Sequence, residues 1–396
     1  MAKIVGKSGK YFKHNRIQLI HSGSSFFSAV YTMLDEAKEE IHFQTYIFEE
    51  DETGRQMADA LIRTAERGIR VYLLADAYGS RNLSEATIQK MKNAGVKVRL
   101  FGPLLSKGKI HFGRRLHQKI VLCDQRKAII SGVNISNNYS GIGGNHPWLD
   151  FAVLVEGDVI PSLAHITVKT WLGFSMQNWR KKFEKSILPL LKTDDTYRVF
   201  IRALENDGLR GRYQCAAAYL RLLNSTNDTA YIVGGYFLPG GRGRRALKRA
   251  IHRGVRIRVV VAEKSDVGLM HQGMLYLYSW LLRNRIEIFE YKPSNVHGKV
   301  LVTDEKYVCI GSYDLNNLST YSNIELNLEI NDQPFAGLVK ADIENIIATQ
   351  CHPVTMTELV SRFSLWNRLV QWVSYRLLKV MFVLAVWLAT KENEQL

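Results

Sequence analysis

The chain carries one nine-residue pattern twice. Leu116-His117-Gln118-Lys119-Ile120-Val121-Leu122-Cys123-Asp124 is followed by Ser131-Gly132-Val133-Asn134, and Val296-His297-Gly298-Lys299-Val300-Leu301-Val302-Thr303-Asp304 is followed by Gly311-Ser312-Tyr313-Asp314. His, Lys and Asp keep their offsets, and the second histidine stands 180 positions after the first. Two copies so far apart call for a fold built from two related halves, because each copy demands the same local geometry.

Side chains two apart on a strand share a face, so His117 and Lys119 point one way, as do His297 and Lys299. Asp124 and Asp304 have the opposite parity and open the polar stretches Asp124-Gln125-Arg126-Lys127 and Asp304-Glu305-Lys306-Tyr307, where a turn-forming Asp is expected. Within the set His117, Lys119, Asp124 and His297, Lys299, Asp304, the aspartates are therefore turn and positioning members. With those four-residue stretches as hairpin loops, Cys123 pairs with Ala128, Asn134 lies opposite His117, and Asp314 lies opposite His297. Each half then presents an imidazole, an ammonium and an amide or carboxylate, and the small pairs Ser131-Gly132 and Gly311-Ser312 leave room for a ligand backbone or phosphate.

Two such surfaces suit phosphodiester chemistry. One imidazole attacks phosphorus, the other protonates the departing oxygen, and two lysines offset the charge of the transition state. Half-sites related by a pseudo-twofold axis set the histidines on opposite sides of one phosphorus, as in-line displacement requires.

The doubling reaches beyond the motifs. Residues 17–20 read as a strand, 26–40 as a helix, 41–48 as a strand, 56–67 as a helix closed by Gly68, and 69–75 as a buried strand. Residues 230–237, 244–253 and 255–262 repeat strand, helix and strand, with Gly254 as the stop. The boundary between halves is expected near residues 182–195, around Pro189 and Thr193-Asp194-Asp195. The expected division is 1–190, 191–360 and a C-terminal segment, 361–396.

The doubled His-x-Lys-x4-Asp with its trailing Gly/Ser segment resembles the phospholipase D superfamily, and more narrowly the bacterial cardiolipin synthases, especially the short type without N-terminal membrane spans. The resemblance runs from about Arg16 to the tail and includes Glu49-Glu50-Asp51-Glu52-Thr53-Gly54, Ala75-Asp76-Ala77-Tyr78-Gly79-Ser80 and Lys264-Ser265-Asp266-Val267. It implies an α/β fold of two pseudo-symmetric α-β-α lobes, each a mixed sheet flanked by helices, sharing one active site at the lobe interface. It also implies a phosphohistidine intermediate, phospholipid substrates, and neither metal nor cofactor. In the family, acids near the positions of Asp150 and Glu325 accept the hydrogen bond from each histidine's second ring nitrogen and fix its tautomer. The N-terminal histidine is generally the nucleophile, which here makes His117 the nucleophile and His297 the proton donor. Asp314 departs from the family's usual Asn, retained in the first copy as Asn134; a carboxylate there would favour an imidazolium at His297 while repelling phosphate. The Gly240-Gly241-Arg242-Gly243 segment also departs from the more acidic loop expected.

Lys and Arg total 53 against 37 acids, a formal charge of +16, which points to an anionic partner such as anionic lipid or nucleic acid. Two basic stretches flank the motifs: Lys107-Gly108-Lys109 with Arg114-Arg115, and Arg242, Arg244, Arg245, Lys248 and Arg249. Either could gather phosphate head groups at the mouth of a site, or form a solvated charged face. Cys123, Cys215, Cys309 and Cys351 show no close CxxC spacing and read as buried free thiols in a reducing compartment. The basic N-terminus lacks an apolar h-region, which argues against a cleaved secretory signal.

Residues 365–390 are apolar and aromatic, but Arg376 and Lys379 would sit mid-span, each costing about 2.5–3.5 kcal/mol on insertion scales. On a helix at about 100° per residue, Arg362, Arg368, Arg376, Lys379 and Lys391 share an arc of roughly 140°. That pattern suits a helix lying in an anionic membrane interface, ahead of packing on the protein or spanning the bilayer. The expectation is a peripheral protein on the cytoplasmic face of a bacterial cell membrane, with oligomeric state open. The leading function is a phosphatidyltransferase; a phospholipase D or a phosphatidylserine synthase would use the same residues. A superfamily nuclease would explain the charge but not the aromatic tail, and a catalytically dead membrane scaffold is disfavoured by the retained histidines and lysines.

Overall fold

The computed structural model describes residues 9–103, 105–106, 109–110, 114–173, 198–362 and 364–394. The boundary expected at 182–195, together with Lys107 and Gly108, lies outside them. In the first half, β1 (Asn15–His21), β2 (Glu40–Thr45), β3 (Arg70–Asp76) and β4 (Lys97–Phe101) precede a small ribbon, β5 (Leu105–Ser106) and β6 (Lys109–Ile110). They are followed by β7 (Lys119–Cys123), β8 (Lys127–Ser131) and β9 (Phe151–Gly157). The second half contributes β10 (Phe200–Asp207), β11 (Arg212–Tyr213), β12 (Thr229–Gly234), β13 (Arg256–Ala262), β14 (Glu287–Tyr291), β15 (Lys299–Thr303), β16 (Tyr307–Gly311), β17 (Ile324–Asn331) and β18 (Cys351–Val354).

The first sheet has the order β1-β9-β8-β7-β2-β3-β4, and the second repeats it as β10-β17-β16-β15-β12-β13-β14, with β11 and β18 added at the edges. In both, the last three strands are parallel and the rest antiparallel. The expected pseudo-symmetric pair of mixed sheets is thus observed.

Residues of β7 and β15 are buried throughout, and they alternate between two cores. Ile120, Leu122, Val300 and Val302 point into a central core formed between the lobes, which also takes Phe151 and Leu326 together with the helices Ile160–Trp171 and Gln333–Gln350. Val121 and Cys123 face a second core under the outer helices of the first lobe, and Leu301 faces its counterpart in the second. A strand buried on both faces has no use for polar alternation, which is why these runs are so apolar.

The hairpins differ from expectation by one residue. Cys123 pairs with Lys127 and Thr303 with Tyr307, so each loop has three residues rather than four. Asp124 and Gln125 have φ of 50°, and Asp304 and Glu305 have φ of 51° and 50°; this left-handed pair closes the loop, and the shorter connection shifts Asn134 and Asp314 off the positions opposite the histidines. The two aspartates have a structural task. Asp124 accepts the N–H groups of Lys38, Glu39 and Glu40 at 2.8–2.9 Å, and Asp304 accepts those of Asn227, Asp228 and Thr229. Each one ties the hairpin loop to the chain entering the neighbouring strand, at the end of β7 or β15 away from the histidine.

The C-terminal segment forms one helix, Leu365–Glu394. Gln371, Ser374, Tyr375 and Leu378 are buried against the helix Gly268–Arg283, where Tyr375 stacks on Tyr276 at 4.8 Å. A Cβ on Gly273 would come within 2.5 Å of Leu378 Cδ1, so the small residue sets the close approach of the two helices. The opposite face leaves Trp366, Trp372, Val380, Val383, Leu384 and Trp387 exposed at 42–70%. Arg376 lies over Trp372 and Lys379 over Tyr375, and Arg368 donates to the Val360 carbonyl. Among the described residues no helix is long and apolar enough to cross a membrane.

Asp124→Ala removes the acceptor of three amides, and a loss of about 2–3 kcal/mol in urea unfolding is expected, with turnover per folded molecule preserved. A stable variant without turnover would instead give Asp124 a part in the chemistry.

Candidate active site

Two short bridges between the lobes build the site. Leu116 pairs with Ile324 and Leu149 with Val296. The His117 N–H donates to the Ile324 carbonyl at 2.9 Å, and the His297 N–H donates to the Leu149 carbonyl at 2.8 Å. Each motif histidine therefore enters beside the start of a strand of the other lobe, β17 or β9. The carboxylates cross accordingly: His117 Nδ1 bonds Glu325 Oε2 at 2.8 Å, and His297 Nδ1 bonds Asp150 Oδ2 at 2.7 Å. Both acids belong to the site, each serving the histidine that follows or precedes it from the opposite half. Both Nδ1 atoms are engaged by carboxylates, which fixes the orientation of each ring.

The lysines are equally matched. Lys119 Nζ donates to the His117 carbonyl at 2.7 Å, and Lys299 Nζ donates to the His297 carbonyl. Both lysines are buried. Burial pushes the Lys119 ammonium down to about 7; Glu325 opposes that shift and Lys299 adds to it.

The two carboxylates titrate differently. Burial pushes Asp150 up to about 7 against the pull of Lys299, the Phe151 N–H and Lys119, while burial and the two lysines hold His297 well below the usual histidine range. The Asp150–His297 pair thus shares one proton that is available near neutrality. Burial would raise Glu325 too, but attraction and hydrogen bonding to His117, with Lys119 and Ser312, hold it below the usual carboxylate range.

Other expected site residues serve the scaffold. Asn134 Oδ1 accepts the Ile47 N–H at 3.1 Å, and its amide donates to the Tyr139 hydroxyl at 2.9 Å. Ser312 Oγ donates to Glu325 at 2.7 Å, and Ser131 lies opposite Lys119 in the ladder. Gly132 leaves room for Asp150, whose Oδ1 would stand 2.5 Å from a Cβ there, and a Cβ on Gly311 would strike the Leu326 carbonyl at 2.3 Å. The small residues accommodate the protein's own atoms rather than a phosphate. Arg114 pairs with Asp207 across the lobes, and Arg115 donates to the Gly102 carbonyl at 2.7 Å and stands 3.8 Å from Asp76. These arginines join parts of the protein and are not free to collect head groups. Asp314 approaches Lys299 at 3.6 Å, and the carboxylate bonded to the His297 ring is Asp150.

An aromatic wall was not anticipated. Tyr46 meets the His117 ring edge-on at 5.1 Å, and Tyr139, Trp148 and Tyr236 surround His297 at 5.3–6.4 Å. Tyr236 donates to Asp266, which also accepts from Asn295. The available signal was position: Tyr46 and Tyr236 each follow the end of a central parallel strand, where side chains leave the sheet toward the site.

Comparison with known proteins fits this geometry. A protein-family model described as "Cardiolipin synthase, PLD-like domain" matches residues 30–146 and 219–347. Cardiolipin synthase B of Shigella flexneri is 30% identical over 377 residues, covering 94% of this chain and 90% of that protein. Cardiolipin synthase A of Pseudomonas syringae is 28% identical over 336 residues, covering 83% and 67%. In fold, the phosphatidylserine synthase of Haemophilus influenzae superposes with a TM-score of 0.73 at 14% identity, over 95% of this chain and 97% of that one. From the doubled motif, the paired sheets and these relatives, the chain belongs to the cardiolipin synthase family of PLD-like proteins.

Proposed function

We propose that the chain is a phosphatidyltransferase that makes cardiolipin from phosphatidylglycerol through a phosphohistidine on His117. The observation that carries this reading is the crossed arrangement of two imidazoles, each with Nδ1 bonded to a carboxylate of the other lobe, beside two buried lysines. His117 Nε2 attacks phosphorus and the bond to the glycerol oxygen breaks, with the Asp150–His297 pair giving that oxygen its proton. Ionised Glu325 stabilises the positive charge that develops on the attacking ring. The hydroxyl of a second phosphatidylglycerol then loses its proton to His297 and attacks the same phosphorus; the P–N bond breaks and His117 is restored. Lys119 and Lys299 balance the phosphoryl charge throughout.

The substrates are membrane lipids, and the C-terminal helix is suited to meet them. One stripe is fixed to the protein while the opposite face offers three tryptophans and aliphatic side chains, with Arg376 among them over Trp372 and Lys379 at the edge. We assign this face to the interface of an anionic bilayer, where aromatic rings lie at the acyl boundary and cations meet head groups.

Purified protein with phosphatidylglycerol vesicles is expected to yield cardiolipin and glycerol in equal amounts, and a rapid denaturing quench of the native protein during turnover is expected to trap the phosphatidyl group on His117. Phosphatidic acid as product would make the chain a hydrolase, and label on His297 would reverse the two roles.

The first step needs the proton of the Asp150–His297 pair, present below and lost above about pH 7. The single-turnover burst of glycerol should therefore fall as pH rises through that range, with Lys119 losing charge in the same direction. Asp150→Asn should slow the burst about 10²–10⁴-fold and change the shape of its alkaline limb. An unaltered rate and profile would remove the pair as proton source.

Val383→Glu with Leu384→Glu leaves the buried stripe of the helix intact. In flotation with phosphatidylglycerol vesicles, at least about tenfold less protein should float, and unchanged flotation would show that this face does not meet the bilayer.

A further inference from the structure

Asn134 and Asp314 occupy equivalent places in the two copies but are held differently. Both ends of the Asn134 amide are bonded within its own lobe. Asp314 is 4% exposed, its Oδ2 lies 3.6 Å from Lys299 Nζ, and its Oδ1 is buried without a hydrogen-bond partner among the described residues. Its charge bears on groups from every side of the site: Lys299 on β15, Lys119 on β7, His117 before β7, Glu325 on β17, Asp150 before β9, and Tyr236 after β12. The acceptor is buried among the charged groups of both motifs, without a donor of its own.

The charges make the problem explicit. Lys119 and Lys299 already face Glu325 and Asp150, so an ionised Asp314 adds one more negative charge to a site that must receive an anionic phosphodiester, and an Asn at this position would not. An ionised Asp314 repels the phosphodiester and offers its oxygens no donor. A protonated Asp314 does the reverse, because its hydroxyl is a donor and its charge is gone.

We propose that Asp314 is a substrate-binding residue that works as the neutral acid: entry of the phosphodiester draws one proton from solvent onto Asp314, whose Oδ1–H then donates to a nonbridging phosphate oxygen. This rests on the reading of the site as a phosphodiester site. Burial raises Asp314 from its ordinary value, with Lys299 and His117 opposing, and the arriving phosphodiester charge acts in the same direction as burial. Uptake makes capture of substrate favour acid, a dependence that an asparagine would not have.

The test is calorimetric titration of the full chain with diethyl phosphate, a phosphodiester that does not titrate near neutrality, in two buffers of different ionisation heat. The native protein should take up about one more proton on binding than Asp314→Asn. The smaller Asp314→Ser should lose the same proton, which guards against a folding defect peculiar to one variant. In turnover, KM for phosphatidylglycerol should rise with pH in the native protein more steeply than in Asp314→Asn, with kcat following a common profile. Binding with equal proton uptake in native protein and variants overturns the role of Asp314 alone. Absence of binding heat in all three overturns the phosphodiester reading and this proposal with it.

Discussion

The hydrogen bond from each histidine to a carboxylate of the opposite lobe is the interaction on which the remainder depends. An isolated buried carboxylate is strongly disfavoured, and so is an isolated buried ammonium. Here Asp150, Glu325, Lys119 and Lys299 are brought together with two imidazoles, and each charge has its counter-charge within the same small volume. Separating the lobes would undo both imidazole–carboxylate bonds at once and expose the apolar core between the sheets. Integrity of the site and integrity of the interface are one property of the molecule.

A duplicated fold does not give duplicated chemistry. The backbone of the two halves supplies matched strands, matched lysine-to-carbonyl bonds and matched aspartate ties. The difference arises from a few side chains: glutamate behind one ring, aspartate behind the other, asparagine in one hairpin and aspartate in the second. Ser312 and Asn323 donate to Glu325 and stabilise its charge, whereas Asp150 has the Phe151 N–H to satisfy one oxygen and His297 at the other. On the proposed reading, such differences separate an attacking base from a proton donor, which a step with a nucleophile and a leaving group requires.

Much of this was legible in the sequence, for physical reasons. Strands such as Lys119–Cys123 and Lys299–Thr303 announce themselves by apolar runs ended by Asp, and the helices beside them by their spacing and stop glycines. What the sequence could not deliver was the crossing. The bridges Leu116 to Ile324 and Leu149 to Val296 are set by how two finished sheets meet, and nothing local at Asp150 or Glu325 states which histidine it will reach. The hairpin register was missed for a related reason: two consecutive left-handed residues shorten the loop, and Asp-Gln or Asp-Glu is a weaker signal for that geometry than Asn-Gly. Arg114 looked like a head-group contact because the residue that neutralises it, Asp207, lies in the other half of the chain.

The same reasoning connects the site to the lipid. Tyr236 stands beside His297 and bonds Asp266, and the helix Gly268–Arg283 begins two residues later. That helix receives the buried stripe of the C-terminal helix through Tyr276 and Gly273. A helix of this length spans about 24 Å, so on the proposed reading the height of the active site above the bilayer is fixed by one rigid element rather than by a flexible tether. Phosphorus lies near the boundary of the acyl region, and an enzyme joining two such groups must hold both lipids at one depth. A C-terminal helix seated on the element that follows this loop meets that requirement.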